Sequence, residues 1–337
     1  MRRRTPRRRG GLAAVLLASA VLSCASNPAG WDFGALGARH PEVDVHGQHL
    51  AEALPYFAPA GDELALFLCR WAGDGPVHVW LPASATPSET AVLRRALQAW
   101  EGAGLGIHFD PQPFEGTPPR TGIVFELLDP EPGETVSSTG DTIADCSIPF
   151  QVDPTSDTPV DAELQYASIQ LRRSLPDALG RLVPLTEMEL LGAAVHELGH
   201  ALGFPGHVAR GGGVMVAHDQ VDAARHWGKR LEAGRPLEAP TLVALYRLPS
   251  GVRVGRLPLT RAQRDPLHAV SAIASRVGLR GPYARVGDES ARLLWRDDDG
   301  ASYAIVLLDW AAALHDPKRL EPRLDRRARL LLESAGG

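Results

Sequence analysis

The sequence predicts an α+β chain. Two helix starts are written out as capping boxes, at Thr86–Glu89 and Thr186–Glu189, and short strand candidates lie before, between and after them. A third observation separates the C-terminal end, where two apolar runs flank an Asp-Asp-Asp-Gly turn and read as a β-hairpin. A 337-residue chain supports one main core with a small appendage, and no internal repeat is visible.

Taken in order, residues 1–23 read as an export signal. Six arginines form a basic n-region, and residues 12–22 form an apolar run too short to span a bilayer. Val21-Leu22-Ser23-Cys24 resembles a bacterial lipobox in which Cys24 would carry lipid, with ordinary signal cleavage as the competing reading. Residues 24–62, rich in Pro, Gly and His, are expected to be a tether or short pro-segment. His40, His46 and His49 in that stretch fit no compact metal site. The globular pattern starts at residue 63, with residues 64–71 and 77–81 expected to pair as a hairpin across Gly73-Asp74-Gly75. Pro87 at the first helical position follows the Thr86 cap, and Leu93, Ala96, Leu97 and Trp100 give that helix one apolar stripe. Strands are expected at 107–109, 122–127 and 168–171. A helical segment is expected over 259–277, with Asp265-Pro266 marking a break or a new first turn. Residues 279–337 read as a small α+β extension: the hairpin over 291–308, then a helix over 317–333.

The second capped helix carries the chemistry. Leu185 and Leu190 are placed as a hydrophobic staple, Leu191, Val195, Leu198 and Leu202 repeat at core spacing, and Gly203 supplies the stop. His196 and His200 lie one turn apart on one face, with Glu197 between them and His207 just past the stop. Two imidazoles at that spacing bind one zinc ion, and the neighbouring glutamate is placed to take a proton from a water that the metal acidifies.

This stretch, followed by Met215, resembles the metzincin clan of zinc proteases and most of all its matrixin branch, whose signature is HExxHxxGxxH followed by a Met-turn. The resemblance covers roughly residues 75–275 and is specific mainly at the motif. It implies a metzincin-like catalytic domain over residues 63–278 with a twisted mixed sheet and an active-site helix. It also implies a catalytic zinc held by His196, His200 and His207, with Glu197 as general base. Met215 would form an apolar floor rather than a ligand. One departure is that Gly206 stands where the family places its third histidine, so His207 arrives one residue late. Pro205-Gly206 would absorb the extra residue in a tight turn. His218 is the fallback ligand, and Glu232 the candidate if a distant carboxylate served instead. Val216-Ala217-His218 offers no tyrosine after the methionine, so no tyrosine role carries over. In this family an edge strand ahead of the active-site helix pairs with extended substrate, which places that strand within residues 135–146.

The rest of the composition bounds the setting. Without the leader the chain has 29 basic and 40 acidic residues, a net −11, and no basic stripe with interleaved aromatics, which argues against nucleic-acid binding. Cys69 and Cys146 are then an even pair, and in an oxidising compartment a disulfide between them is the preferred reading over a latency switch at Cys69. The acidic run 297–299 reads as a solvated turn, and calcium binding has no support. The expected function is an exported zinc endopeptidase, secreted or anchored to the cell envelope, acting as a monomer on protein or peptide substrates. The alternatives are a latent or non-catalytic surface binding protein with the same fold, and a zinc amidase acting on cell-wall peptides.

Overall fold

The computed structural model describes residues 31–45, 50–130, 138–149, 152–177, 179–209, 213–216, 220–287 and 289–335. The expected leader, Cys24, His46, His49 and His218 lie outside them. In chain order the elements are α1 (Phe33–Arg39), a 3-10 turn (Leu50–Ala53), β1 (Tyr56–Ala60), β2 (Glu63–Phe67), β3 (Val77–Pro82), α2 (Pro87–Glu101), β4 (Phe109–Phe114), β5 (Gly122–Leu128), β6 (Gly140–Ser147) and β7 (Glu163–Arg172). A small hairpin, β8 (Ser174–Pro176) and β9 (Leu182–Pro184), leads into α3 (Glu187–Ala201), α4 (Gln220–Glu232), α5 (Pro240–Arg247), β10 (Arg253–Pro258) and α6 (Arg261–Arg276). The end of the chain adds β11 (Arg280–Val286), β12 (Ser290–Arg296), β13 (Ser302–Leu308), α7 (Trp310–Ala313), a 3-10 turn (Pro317–Arg319), β14 (Glu321–Leu324) and α8 (Arg326–Ala335).

The fold is α+β, built on a nine-stranded mixed sheet ordered β14-β13-β12-β11-β6-β7-β5-β3-β4. Its β4, β3, β5 and β7 run parallel, and every pairing from β7 outward through β6 to β14 is antiparallel. The parallel strands are rich in apolar residues because helices cover them: β5 buries Ile123, Val124 and Phe125, and β7 buries Ala167, Ile169 and Leu171. Both capping boxes form as expected, with each threonine accepting from the third helical N–H and each glutamate accepting from the cap N–H. The stripe Leu93, Ala96, Leu97 and Trp100 is buried, and Trp100 donates its indole N–H to the Val195 carbonyl on α3 at 2.9 Å.

Several sequence expectations change. Residues 63–67 and 77–82 are not a hairpin; β2 pairs with β1 and with β10, whereas β3 belongs to the large sheet. Alternation marks a strand but names no partner, and here the partner β10 comes late in the chain. The first strand of the 107–109 region is displaced to Phe109–Phe114, and the strand expected at 168–171 extends over Glu163–Arg172. Pro266 does not break its helix: α6 runs through it from the Thr260 capping box. The helix expected over 317–333 is three pieces: a 3-10 turn, β14 and α8. Residues 31–45 and 50–62 are not a free tether. Phe33, Leu36, Leu50, Tyr56 and Phe57 are buried, and Phe57 lies 5.0 Å from the Trp310 ring. The C-terminal extension is α+β and joins the large sheet through β11 on β6.

Candidate metal centre

α3 positions the site because its own ends and sides are fixed. Thr186 caps its start, and the carbonyls of its last turn, which no helical N–H can reach, accept from side chains instead. Trp71 donates its indole N–H to Ala201 O at 2.8 Å, and the Tyr246 hydroxyl donates to Leu202 O at 3.1 Å. Leu191, Val195, Leu198 and Leu202 are buried as their spacing predicts. Across this face α3 meets α4 without side chains between the backbones. A methyl on Gly192 would lie 1.8 Å from Ala224 O, and one on Gly228 would lie 1.9 Å from Met188 O.

Gly203 ends the helix at φ +105°, where a Cβ would also strike the Cys69 carbonyl at 2.3 Å. The chain then turns back. Its return is held from two sides. Val208 N–H donates to Met215 O at 2.7 Å and forms a bridge to Val216. From the N-terminal segment, the Glu52 carboxylate accepts from Ala209 N–H, and Gly206 packs so close that a Cβ would lie 2.1 Å from Glu52 O. These contacts bring His207 back toward the helix. Its Nε2 reaches 3.2 Å from Nε2 of His196.

His196, His200 and His207 therefore converge, with ligand nitrogens within 4.8 Å of one another, and among the described residues no carboxylate joins the group. Glu232 takes no part in it. The donor chemistry tests whether a cation fits. His196 Nδ1 faces Val214 O at 2.8 Å, and His200 Nδ1 faces Phe204 O at 2.7 Å. A carbonyl only accepts, so each Nδ1 carries the hydrogen and turns its Nε2 toward the other two rings. Burial, reinforced by the other two imidazoles, holds His200 well below the usual histidine range, so it stays neutral. Its Nε2 lies 3.2 Å from that of His196. Three ring nitrogens gathered in this way could hold a metal ion. The spacing also matches two corners of a tetrahedron with 2.0–2.1 Å bonds, whose edge is about 3.3 Å. The Val214 and Phe204 carbonyls are the outer partners that fix ring orientation at such centres.

Glu197 is buried beside them, and Thr142 on β6 donates its hydroxyl to Glu197 Oε2 at 2.7 Å. Burial pushes the Glu197 carboxyl up to about 7; the Thr142 hydroxyl pulls the other way, and Asp141 adds to the rise. Met215 is buried with its sulfur against Gly199, the residue before His200, where a Cβ would meet it at 2.1 Å. A cavity of about 130 Å³ opens over the three imidazoles and Glu197, walled by Gly140, Thr142 and Ala144 of β6 and by Val286 and Gly287. Cys69 and Cys146 are disulfide-bonded, which ties the strap beneath Gly203 to β6.

Thr142, Glu52 and the Val286–Gly287 corner were not singled out from the sequence. Each acts across a long stretch of chain, and only Gly140-Asp141-Thr142, a glycine beside two polar residues in a strand, carries a local hint. No helix among the described residues is long and apolar enough to cross a membrane. No protein-family model and no curated protein matches the chain.

Proposed function

We propose that this chain is a zinc-dependent peptide-bond hydrolase of metzincin-like fold, with His196, His200 and His207 holding the metal and Glu197 as general base. The observation that carries the reading is the convergence of the His196, His200 and His207 ring nitrogens, all within 4.8 Å of one another, lining one cavity with a buried glutamate. A purely structural zinc site is closed by a fourth protein ligand and has no use for such a base. Bound zinc would supply Lewis acidity, polarising the scissile carbonyl and lowering the pKa of water. Glu197, buried beside the three imidazoles in the same cavity, is placed to accept a proton and return it to the leaving amine. Thr142 holds that carboxylate in place from β6, and Val214 and Phe204 hold the rings. The Cys69–Cys146 disulfide supports an oxidising, extracytoplasmic setting, in line with the proposed leader and the lipid anchor at Cys24.

Metal analysis and cleavage of a mixed peptide pool by the leaderless protein test this reading. Wild type should carry a single zinc per chain and cleave, Glu197→Gln should keep zinc but lose cleavage, and His200→Ala should lose both. A fully active glutamine variant would sink the assignment of the base.

A further inference from the structure

β6 is the strand that passes the metal centre, and its two edges differ. One edge pairs with β7 from Gly140 to Ser147. The other pairs with β11 at Asp145, Cys146 and Ser147 alone, opposite Arg285, Ala284 and Tyr283. Among the described residues no strand pairs with the outer edge of Gly140–Ala144, the stretch that borders the cavity. Unpaired backbone groups beside a reactive centre are a template for an extended peptide.

The β11 cover is firmly attached. Asp145 is fully buried and accepts from Arg285 at 2.7 and 3.0 Å and also from Arg296 on β12. The next residue, Cys146, is disulfide-bonded to Cys69. Past Arg285 the chain leaves β6 at Val286 and Gly287, and Gly287 N–H bonds back to Ser290 O to enter β12. Both corner residues line the cavity of the metal centre. The strand expected to be an open edge is therefore open for only part of its length and ends against a corner.

We propose that the Val286–Gly287 corner is the end wall of the substrate cleft, so that the site takes the N-terminal end of a peptide and releases short N-terminal fragments. This rests on the peptide-hydrolase reading above. The direction follows from the sheet. Both neighbours of β6 run antiparallel to it, the pairing that is also slightly the more stable per residue. A peptide entering in that sense runs the way β11 runs and meets Gly287 with its N-terminal end. The reacting bond lies beside Glu197, which is bonded to Thr142. From Thr142 to Ala144 the open edge accommodates about three substrate residues at ~3.4 Å each. On the far side of the bond no described strand limits the peptide.

The test uses the zinc-loaded protein and a nested peptide series in which residues are added one at a time at the N-terminus of a cleaved sequence. Products are read by mass spectrometry, with Glu197→Gln alongside. The expected result is that the cleaved bond moves with the N-terminus and the released fragment stays at about two or three residues. A cleaved bond that stays at the same sequence position whatever precedes it overturns the end wall and leaves the hydrolase reading intact. Release of short C-terminal fragments overturns the direction of binding. Absence of any cleavage dependent on zinc and Glu197 overturns both readings.

Discussion

Replacing Glu197 with glutamine should stabilise the metal-free protein at neutral and alkaline pH, by an amount set by its burial. The folded protein holds the Glu197 proton up to about pH 7, against an ordinary value of 4.5 in the unfolded chain. Folding therefore takes up a proton between those values, and the stability associated with this group, complete below pH 4.5, is lost as the pH rises toward 7. At 1.36 kcal/mol per pH unit the gap corresponds to about 3 kcal/mol. Glutamine imitates the protonated carboxyl and keeps an acceptor for the Thr142 hydroxyl. The two proteins should thus unfold alike near pH 4, while at pH 8 the variant should be more stable by about 3 kcal/mol. Urea unfolding in chelator across that range measures the difference. Stability curves that run parallel from pH 4 to 8 would refute the claim that Glu197 is held in a desolvated site.

Gly192→Ala should cost about 3 kcal/mol or more in thermal or urea unfolding, because its methyl meets the rigid Ala224 carbonyl, whereas Gly73→Ala, with open space around it, should be near neutral. Glu52→Ala should weaken zinc binding about 10–100-fold in chelator competition, since it frees the Ala209 N–H that holds the return of His207; unchanged affinity would show that the brace is idle. Thr142→Val removes the hydroxyl that favours ionised Glu197. The acidic limb of the kcat/KM profile should move to higher pH, and a limb that stays in place or moves down would contradict the hydrogen bond.

The features legible in the sequence were the ones with local causes. Thr86 with Glu89, and Thr186 with Glu189, each satisfy the first turn of their own helix, so four residues suffice to read them. His196, Glu197 and His200 are set by the pitch of one helix, and Gly203 by the backbone angle at its end. The convergence of His207 was legible only as proximity, since its exact placement depends on Glu52 and Met215, which belong to distant parts of the chain. Strand pairing was the least legible. β2 finds β10 and β6 finds β11, each more than a hundred residues away, and nothing in an alternating pattern encodes such a partner. Composition misled at residues 31–62, where Pro, Gly and His obscured a sparse set of large apolar residues that the core takes up.

That last segment bears on how the site is kept in order. A removable pro-segment should leave a folded protein behind, and residues 31–62 do not have that character. Phe33, Leu36, Leu50, Tyr56 and Phe57 are each buried to within a few per cent. At about 1.5–3 kcal/mol for each large apolar side chain, their loss is comparable with the whole stability of a typical domain, about 5–15 kcal/mol. The same segment supplies β1 to the edge of β2 and the Glu52 brace to the third imidazole. A chain beginning at residue 63 should therefore neither fold cooperatively nor hold zinc, whereas one beginning at residue 31 should do both. Cooperative unfolding and zinc binding by the shorter chain would show that His207 is positioned by the helix end and the Met215 turn alone, and that residues 31–62 are dispensable.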